Sequence, residues 1–347
     1  MAFPYDPDLY LDVRQYIEDH LDLVEEEEYD VLTAKVFESW MPFQIEAVGY
    51  IFFVGPRRSG KTRALEVLAE LCFNPTMAAY MSTATMYRML DRGWCTLFLD
   101  EIQQYLTEDK MGFMALLCAG QRKGLKAWIL VREDKEWVPL GLNVFCPKFL
   151  ASTRDTAEAL ATRCIIITMM KNVRTIPLRI DQERAKKLHE RLNLYATKAA
   201  KTKWPDLEDT FMQMGFRDYR NIEAFINLAA LTPPIYRQRI FDYAKAIDDQ
   251  IAEEEGLTMY AEIFAALEYA WAQVKGGKVS VNAVAEVYND GRPEQETLQN
   301  RRIGSLLNII GLRKKCRMSD GKIGRYISER TMKRLKRRYG TGQMKIT

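Results

Sequence analysis

The segment Tyr50-Ile51-Phe52-Phe53-Val54 is a short β-branched and aromatic run that fits a buried parallel strand. Gly55-Pro56-Arg57-Arg58-Ser59-Gly60-Lys61-Thr62 follows it directly, and Arg63 to Leu71 then carries apolar residues at helical spacing. Strand, GxxxxGK[ST] and helix in that order constrain the fold more than any other feature of the chain. Gly55 and Gly60 allow conformations in which successive N–H groups converge on one point, and the new helix adds its positive N-terminal end. The loop, Arg63 included, is therefore expected to cradle the phosphates of ATP. Lys61 would reach the β- and γ-phosphates, and the Thr62 hydroxyl would hold Mg²⁺.

A second apolar run, Thr96-Leu97-Phe98-Leu99, ends in Asp100-Glu101. The distance from Lys61 suits an intervening helix, strand (Ala79 to Ser82) and helix (Thr83 to Leu90). Asp100 would then stand at the C-terminal edge of the sheet, where it can hold the Mg²⁺ shell, with Glu101 placed to orient or deprotonate the attacking water. Lys148 to Thr153 reads as a further core strand whose closing hydroxyls, Ser152 and Thr153, can contact the γ-phosphate or that water; Asp155 and Thr156 would start the next helix. Arg163 stands immediately before the strand Cys164 to Met169. In a ring ATPase such a junction faces the next subunit's nucleotide, where an arginine stabilises charge developing on the γ-phosphoryl oxygens.

With 347 residues, two or three domains are expected. Residues 8–40 read as helical around the acidic run Glu25 to Glu28. Leu125 to Val131 and Trp137 to Phe145 read as a hairpin after the basic turn Gly120 to Gly124. His20 and His189 belong to no ligand or triad spacing, and the six cysteines are scattered singly, as reduced core residues are. Met1 to Asp6 has no signal-peptide character, and no apolar run approaches the roughly 20 residues that cross a bilayer. A cytoplasmic protein without a membrane partner is the expectation.

The net charge of +3 conceals an asymmetry. Residues 301–347 hold 15 of the 50 basic side chains and 2 of the 47 acidic ones, a local net of +13, which leaves −10 for the first 300 residues. A block this basic is the footprint of phosphate-backbone contacts. Three amphipathic segments (261–273, 282–288, 298–310) precede a hairpin signal around Ser319 to Lys322. Three helices and a hairpin resemble a winged helix-turn-helix, with Gln299 to Arg302 and Ser305 on the presumed recognition helix.

The ordered set GPRRSGKT, TLFLDE, KFLAST and TRCIIITM resembles the AAA+ ATPases. From about Leu9 to Ala246 the chain is similar to an ATPase family found in archaeal genomes and in plasmid- or virus-borne primase and helicase proteins. That resemblance implies an α/β fold, a three-layer AAA+ P-loop core with a parallel sheet and an α-helical lid, here followed by the winged helix. The corresponding division is 1–45 (helical lead-in), 46–175 (core), 176–256 (lid) and 257–347 (basic DNA-binding domain). It also implies a lid arginine touching the nucleotide, for which Arg220 is the preferred match and Arg217 the alternative. The function expected is an ATP-hydrolysing, DNA-dependent motor, a helicase or replication-initiation ATPase forming a homo-oligomeric ring such as a hexamer. Its catalytic residues would be Lys61, Glu101, Arg163 and Arg220. Single- or double-stranded DNA would meet Arg122, Lys123 and Lys126 in a channel and Arg301, Arg302, Arg313, Lys314, Lys315, Lys322 and Arg325 on the C-terminal module. The competing expectation is an ATP-switched adaptor that recruits a recombinase, transposase or replicase without unwinding; a weaker third is a transcriptional regulator.

Overall fold

The computed structural model describes residues 2–78, 81–133, 136–153, 163–216, 222–256, 259–274, 276–318, 321 and 323–339. The chain divides into two compact units, Met1–Gly215 with Tyr219–Ala244 and Phe216–Asp218 with Lys245–Thr347. In chain order the strands of the first unit are β1 (Tyr50–Val54), β2 (Pro75–Ala78), β3 (Thr96–Leu99), β4 (Lys126–Glu133), β5 (Glu136–Asn143), β6 (Lys148–Ser152) and β7 (Cys164–Thr168). Five of them form an all-parallel sheet in the order β2-β3-β6-β1-β7, while β4 and β5 pair with each other as an antiparallel hairpin. Parallel strands buried on both faces read as apolar runs, as in β1 and β3, while β6 is equally buried but begins on Lys148 and ends on Ser152. Across β3 and β6 the Phe98 and Phe149 rings stack at 4.8 Å.

The strand expected at 79–82 lies elsewhere. The chain is extended at β2, Pro75–Ala78, where Pro75 faces Thr96 and Ala78 faces Leu99. Ala79 and Tyr80 lie outside the described residues, and Ser82 caps the helix that follows by accepting from the Thr85 N–H. An edge strand that opens on proline and is only partly buried lacks the apolar run of its inner neighbours. The helix start expected at Asp155 and Thr156 lies outside the described residues.

Helices of the first unit are α1 (Pro7–His20), α2 (Glu26–Ser39), α3 (Lys61–Ala69), α4 (Thr83–Leu90), α5 (Gln103–Glu108), α6 (Lys110–Ala119), α7 (Gln182–Ala199), α8 (Glu208–Gln213) and α9 (Ile222–Leu231); α10 (Arg237–Gly256) leads onward. The lead-in breaks at 21–25, and the acidic run caps and opens its second helix. Glu26 to Glu28 form the first turn of α2, where carboxylates suit the positive helix end, and Glu25 with Glu28 makes a reciprocal capping box. The lead-in packs on helices from after the sheet: Tyr10 stacks on Tyr236, Phe37 meets Tyr195 edge-on, and Tyr5 donates its hydroxyl to the Ala230 carbonyl. Asp30, fully buried, is compensated by Arg14 (3.1 Å), Arg239 (3.3 Å) and the Tyr10 hydroxyl (3.2 Å). Removing one partner of such a group costs far more than the pair contributes.

The second unit is built from α11 (Met259–Ala272), β8 (Lys278–Ser280), α12 (Val281–Asn289), α13 (Asn300–Ile309), β9 (Lys315–Arg317), β10 (Ile323–Tyr326) and α14 (Glu329–Tyr339). The strands form an antiparallel sheet in the order β8-β10-β9. Phe264, Leu267, Val284, Ile303, Leu307, Met332 and Leu335 share its core. Among the described residues no helix is long and apolar enough to cross a membrane.

Burial raises the Glu28 carboxyl to about 7, only partly opposed by the Glu25 N–H. Its protonated form is thus favoured in the folded chain, so stability falls as pH rises from the ordinary carboxyl range through 7. Glu28→Gln should melt with the wild type near pH 4 and above it at pH 8, read by thermal unfolding at the two pH values.

Candidate functional site

The parallel sheet delivers the carboxyl ends of β1, β6 and β3 side by side, with β6 in the middle. Beyond β1 the chain turns through Gly55 to Gly60 and enters α3 at Lys61. Arg58 (φ 64°) and Gly60 (φ 90°) both adopt left-handed backbone, which closes the loop over the start of the helix. Gly55 has no room for a side chain, since a Cβ there would lie 2.1 Å from the Met169 carbonyl oxygen and 2.8 Å from Ser59 Oγ. Ser59 is buried, and its hydroxyl has no partner among the described residues. Pro56, Arg57 and Arg58 are exposed on the outer side of the loop.

Lys61 is buried, and its Nζ donates to the Gly55 (2.9 Å) and Pro56 (2.8 Å) carbonyls, so the ammonium sits inside the loop. Next along α3, the Thr62 hydroxyl donates to Asp100 Oδ2 at 2.5 Å, joining the first turn of α3 to the end of β3. The other oxygen of Asp100 accepts from the Glu101 N–H at 2.8 Å, and Glu101 takes φ 50°, unusual for a side chain of its size. Such backbone is held by its surroundings, here also by Ile102 N–H on the Ala151 carbonyl at 3.0 Å.

Ser152, fully buried at the end of β6, donates to Gln103 Oε1 at 2.8 Å, whereas Thr153 is half-buried one residue further out. Arg63 turns away from the loop and donates to the carbonyls of Pro177 (3.0 Å) and Leu178 (3.2 Å). Arg163 stands at the opposite edge of the sheet. Its carbonyl accepts from the Tyr50 N–H at 3.0 Å, and Tyr50 pairs with Cys164, which puts about 16 Å of strand between Arg163 and the loop of its own chain. Arg217 and Arg220 lie outside the described residues. Two polar residues at the site carry no motif: Gln103, at the first position of α5, and Asn172, whose Oδ1 lies 4.0 Å from a Cβ built on Gly60.

The donor set fits a nucleotide with Mg²⁺. The cradle at Gly55 admits no Cβ, the ammonium within the loop suits phosphate oxygens, and Thr62 and Asp100 present two hard oxygens in contact. Among the described residues no group of three or more His, Cys, Asp or Glu could hold a metal by itself. Mg²⁺ needs no such group, because it keeps several waters and takes its remaining ligands from phosphate.

Of the cations expected to meet DNA, Arg122 is 2.5 Å from Glu223 and Lys123 is 3.2 Å from Glu46, both as exposed ion pairs. Lys126 opens β4. The hairpin beyond it exposes Trp128, Leu130 and Trp137. In the second unit Arg301, Arg302, Arg313, Lys314 and Lys315 are exposed, and Lys322 lies outside the described residues. Arg325 does not belong with them. It is 2% exposed and donates to the Gly304 carbonyl (3.1 Å) and Asn308 Oδ1 (3.0 Å), so its guanidinium works inside the unit rather than on a phosphate.

No family model matches the sequence, and no curated protein does. Among solved structures the chain is similar to "The A form apo structure of NrS-1 C terminal region-CTR", at 11% identity, covering 92% of this chain and 74% of that one with a TM-score of 0.42. It is also similar to "SCCmec type IV Cch - active helicase", at 12% identity, covering 94% of this chain and 68% of that one with a TM-score of 0.42.

Gly55→Ala should destabilise the first unit by about 3 kcal/mol, because a backbone oxygen blocks the new methyl group. Urea unfolding of the two chains measures the difference.

Proposed function

We propose that the chain is an ATP-hydrolysing P-loop enzyme of the AAA+ kind and a DNA-dependent motor, a ring-forming helicase or replication-initiation ATPase. The observation that carries this reading is the 2.5 Å contact between Thr62 and Asp100, beside a loop whose glycine admits no side chain and whose lysine is buried within it. A hydroxyl on the first turn of one helix and a carboxylate two strands away meet because both terminate at the same edge of the sheet.

In the proposed reaction Lys61 would leave the loop carbonyls for the terminal phosphates, and Thr62 with Asp100 would hold Mg²⁺, which supplies neutralisation of phosphate charge when bound. Glu101 orients the attacking water and takes its proton. Thr153, beyond the buried Ser152, is the hydroxyl free to approach that water. Arg163 is too far along the sheet to serve its own loop, which supports its acting on a neighbour's nucleotide in a ring. Arg220 is proposed for the lid. Two helices leading to α13 and an antiparallel sheet support a winged-helix reading of the second unit, with Arg301, Arg302, Arg313, Lys314 and Lys315 toward DNA.

A second reading, an ATP-switched adaptor that recruits a recombinase, transposase or replicase, is favoured by the hairpin, which exposes Trp128, Leu130 and Trp137 in place of a row of cations. Fork unwinding separates the two: a motor opens a fork with ATP, and an adaptor does not.

Steady-state hydrolysis with and without DNA tests the central proposal. Lys61→Ala and Glu101→Gln should each lower turnover by about 10² to 10⁴, with the Glu101 variant still binding nucleotide. Full turnover in either variant would remove the assigned site, and a wild type that neither binds DNA nor is stimulated by it at low salt would remove the DNA-dependent role. For the shared site, Arg163→Ala should lose turnover and recover part of it when mixed with Glu101→Gln subunits. Unaltered turnover in Arg163→Ala would rule out the assignment.

A further inference from the structure

We infer that the outward face of α14 is a contact surface for the phosphate backbone of DNA, distinct from the side chains of α13. The inference rests on the DNA-binding reading of the second unit. The basic block 301–347 contains α14 without marking it as a helix, and its composition is extreme: ERTMKRLKRRY holds six cations and one carboxylate.

At about 100° per residue, Met332, Leu335 and Tyr339 fall on one side of the helix, and all three are buried in the core of the unit. Arg330, Lys333, Arg334 and Arg337 fall on the opposite side and are exposed. The apolar face is thus already occupied, with Tyr339 against Phe264 at 6.1 Å, so α14 has no hydrophobic stripe left for a lipid surface or an apolar groove. What it offers outward is charge alone.

The six cations of this helix differ in what they touch, and Arg338 lies over the Tyr339 ring at 5.5 Å. Lys336, flanking the stripe, pairs with Glu268 of α11 at 2.7 Å. None of Arg330, Lys333, Arg334 and Arg337 makes an ion pair with a described residue. Like charges at i,i+3 and i,i+4 repel and weaken the helix, and Arg330 also stands near the positive end of the helix dipole. A run of phosphates would relieve that repulsion. Four cations spread over about 10 Å of helix axis match about three phosphates of one strand of duplex DNA.

The stripe continues past the helix. The Arg334 guanidinium lies 3.8 Å from a Cβ built on Gly311, the turn that closes α13, and the chain proceeds from there through Arg313, Lys314 and Lys315 into β9. Lys314 lies over the Tyr326 ring at 5.4 Å, which holds it at the surface of the sheet. One basic track therefore joins α14 to the start of β9.

The test is binding of the full chain to a labelled duplex and to a single strand of unrelated sequences, measured over a range of KCl concentrations. The variants replace Arg330, Lys333, Arg334 and Arg337 by Gln, together and as the pairs 330/333 and 334/337. A control of equal charge replaces Lys186, Lys187, Lys198 and Lys201 by Gln in the first unit. The expected result is a slope of log affinity against log salt that is shallower by about 3 in the fourfold variant and by intermediate amounts in the pairs. The loss should be the same for every sequence, and the control slope should stay close to wild type. Because all four side chains are exposed and mutually repelling, the melting temperature should hold or rise. Wild-type slope in the fourfold variant overturns the inference and assigns the stripe to solvent or to an acidic protein surface, while the DNA-binding reading stands. Equal flattening in the control also overturns it, since net charge alone would then account for the change. A wild type that binds no DNA at low salt overturns the reading beneath it and this inference together.

Discussion

The Thr62 to Asp100 contact depends on the register of the whole sheet. Residues of β1 pair with β6 from Ile51 and Phe149 to Val54 and Ser152, and β3 pairs with β6 from Leu97 and Lys148 to Leu99 and Leu150. A slip of one residue in either ladder would shift the end of β3 by about 3.3 Å along the sheet and carry Asp100 away from Thr62. Burial of Phe52, Phe98 and Phe149 holds that register. The geometry that places two oxygens 2.5 Å apart is in this sense a property of the aromatic core beneath them.

The site is legible in the sequence where its chemistry is local. GPRRSGKT, the strand ahead of it and the carboxylates after Leu99 all depend on neighbours along the chain, and they stand where the spacing predicts. Ser152 and Gln103, by contrast, meet across 49 positions, and only the fold shows that the buried hydroxyl is bonded there while Thr153 stands further out. α14 lies within the basic block, and Met332, Leu335 and Tyr339 recur in it at helical spacing, so both its charge and its helix stand in the sequence, while the partners of its apolar side do not.

The inversion in β10 is the clearest case of tertiary structure overriding pattern. Ile323 is exposed and Arg325 is buried, the reverse of what residue type dictates. Two acceptors on α13 compensate the buried guanidinium, the Gly304 carbonyl and, one turn on, Asn308 Oδ1. An arginine counted as a surface cation thus turns out to fasten the sheet to the helix, and the basic character of the unit is carried by fewer but better-aligned side chains.

The connector between β7 and α7 is fastened at two places. Arg63, one residue past Thr62, grips the Pro177 and Leu178 carbonyls, while the N–H groups of Val173 (2.6 Å) and Arg174 (3.1 Å) reach Asp22 just beyond α1. The intervening chain is only a few residues long, with little slack. The same short connector is thus tied at one end to the first turn of α3 and at the other to the end of α1, so neither tie can lengthen without the other.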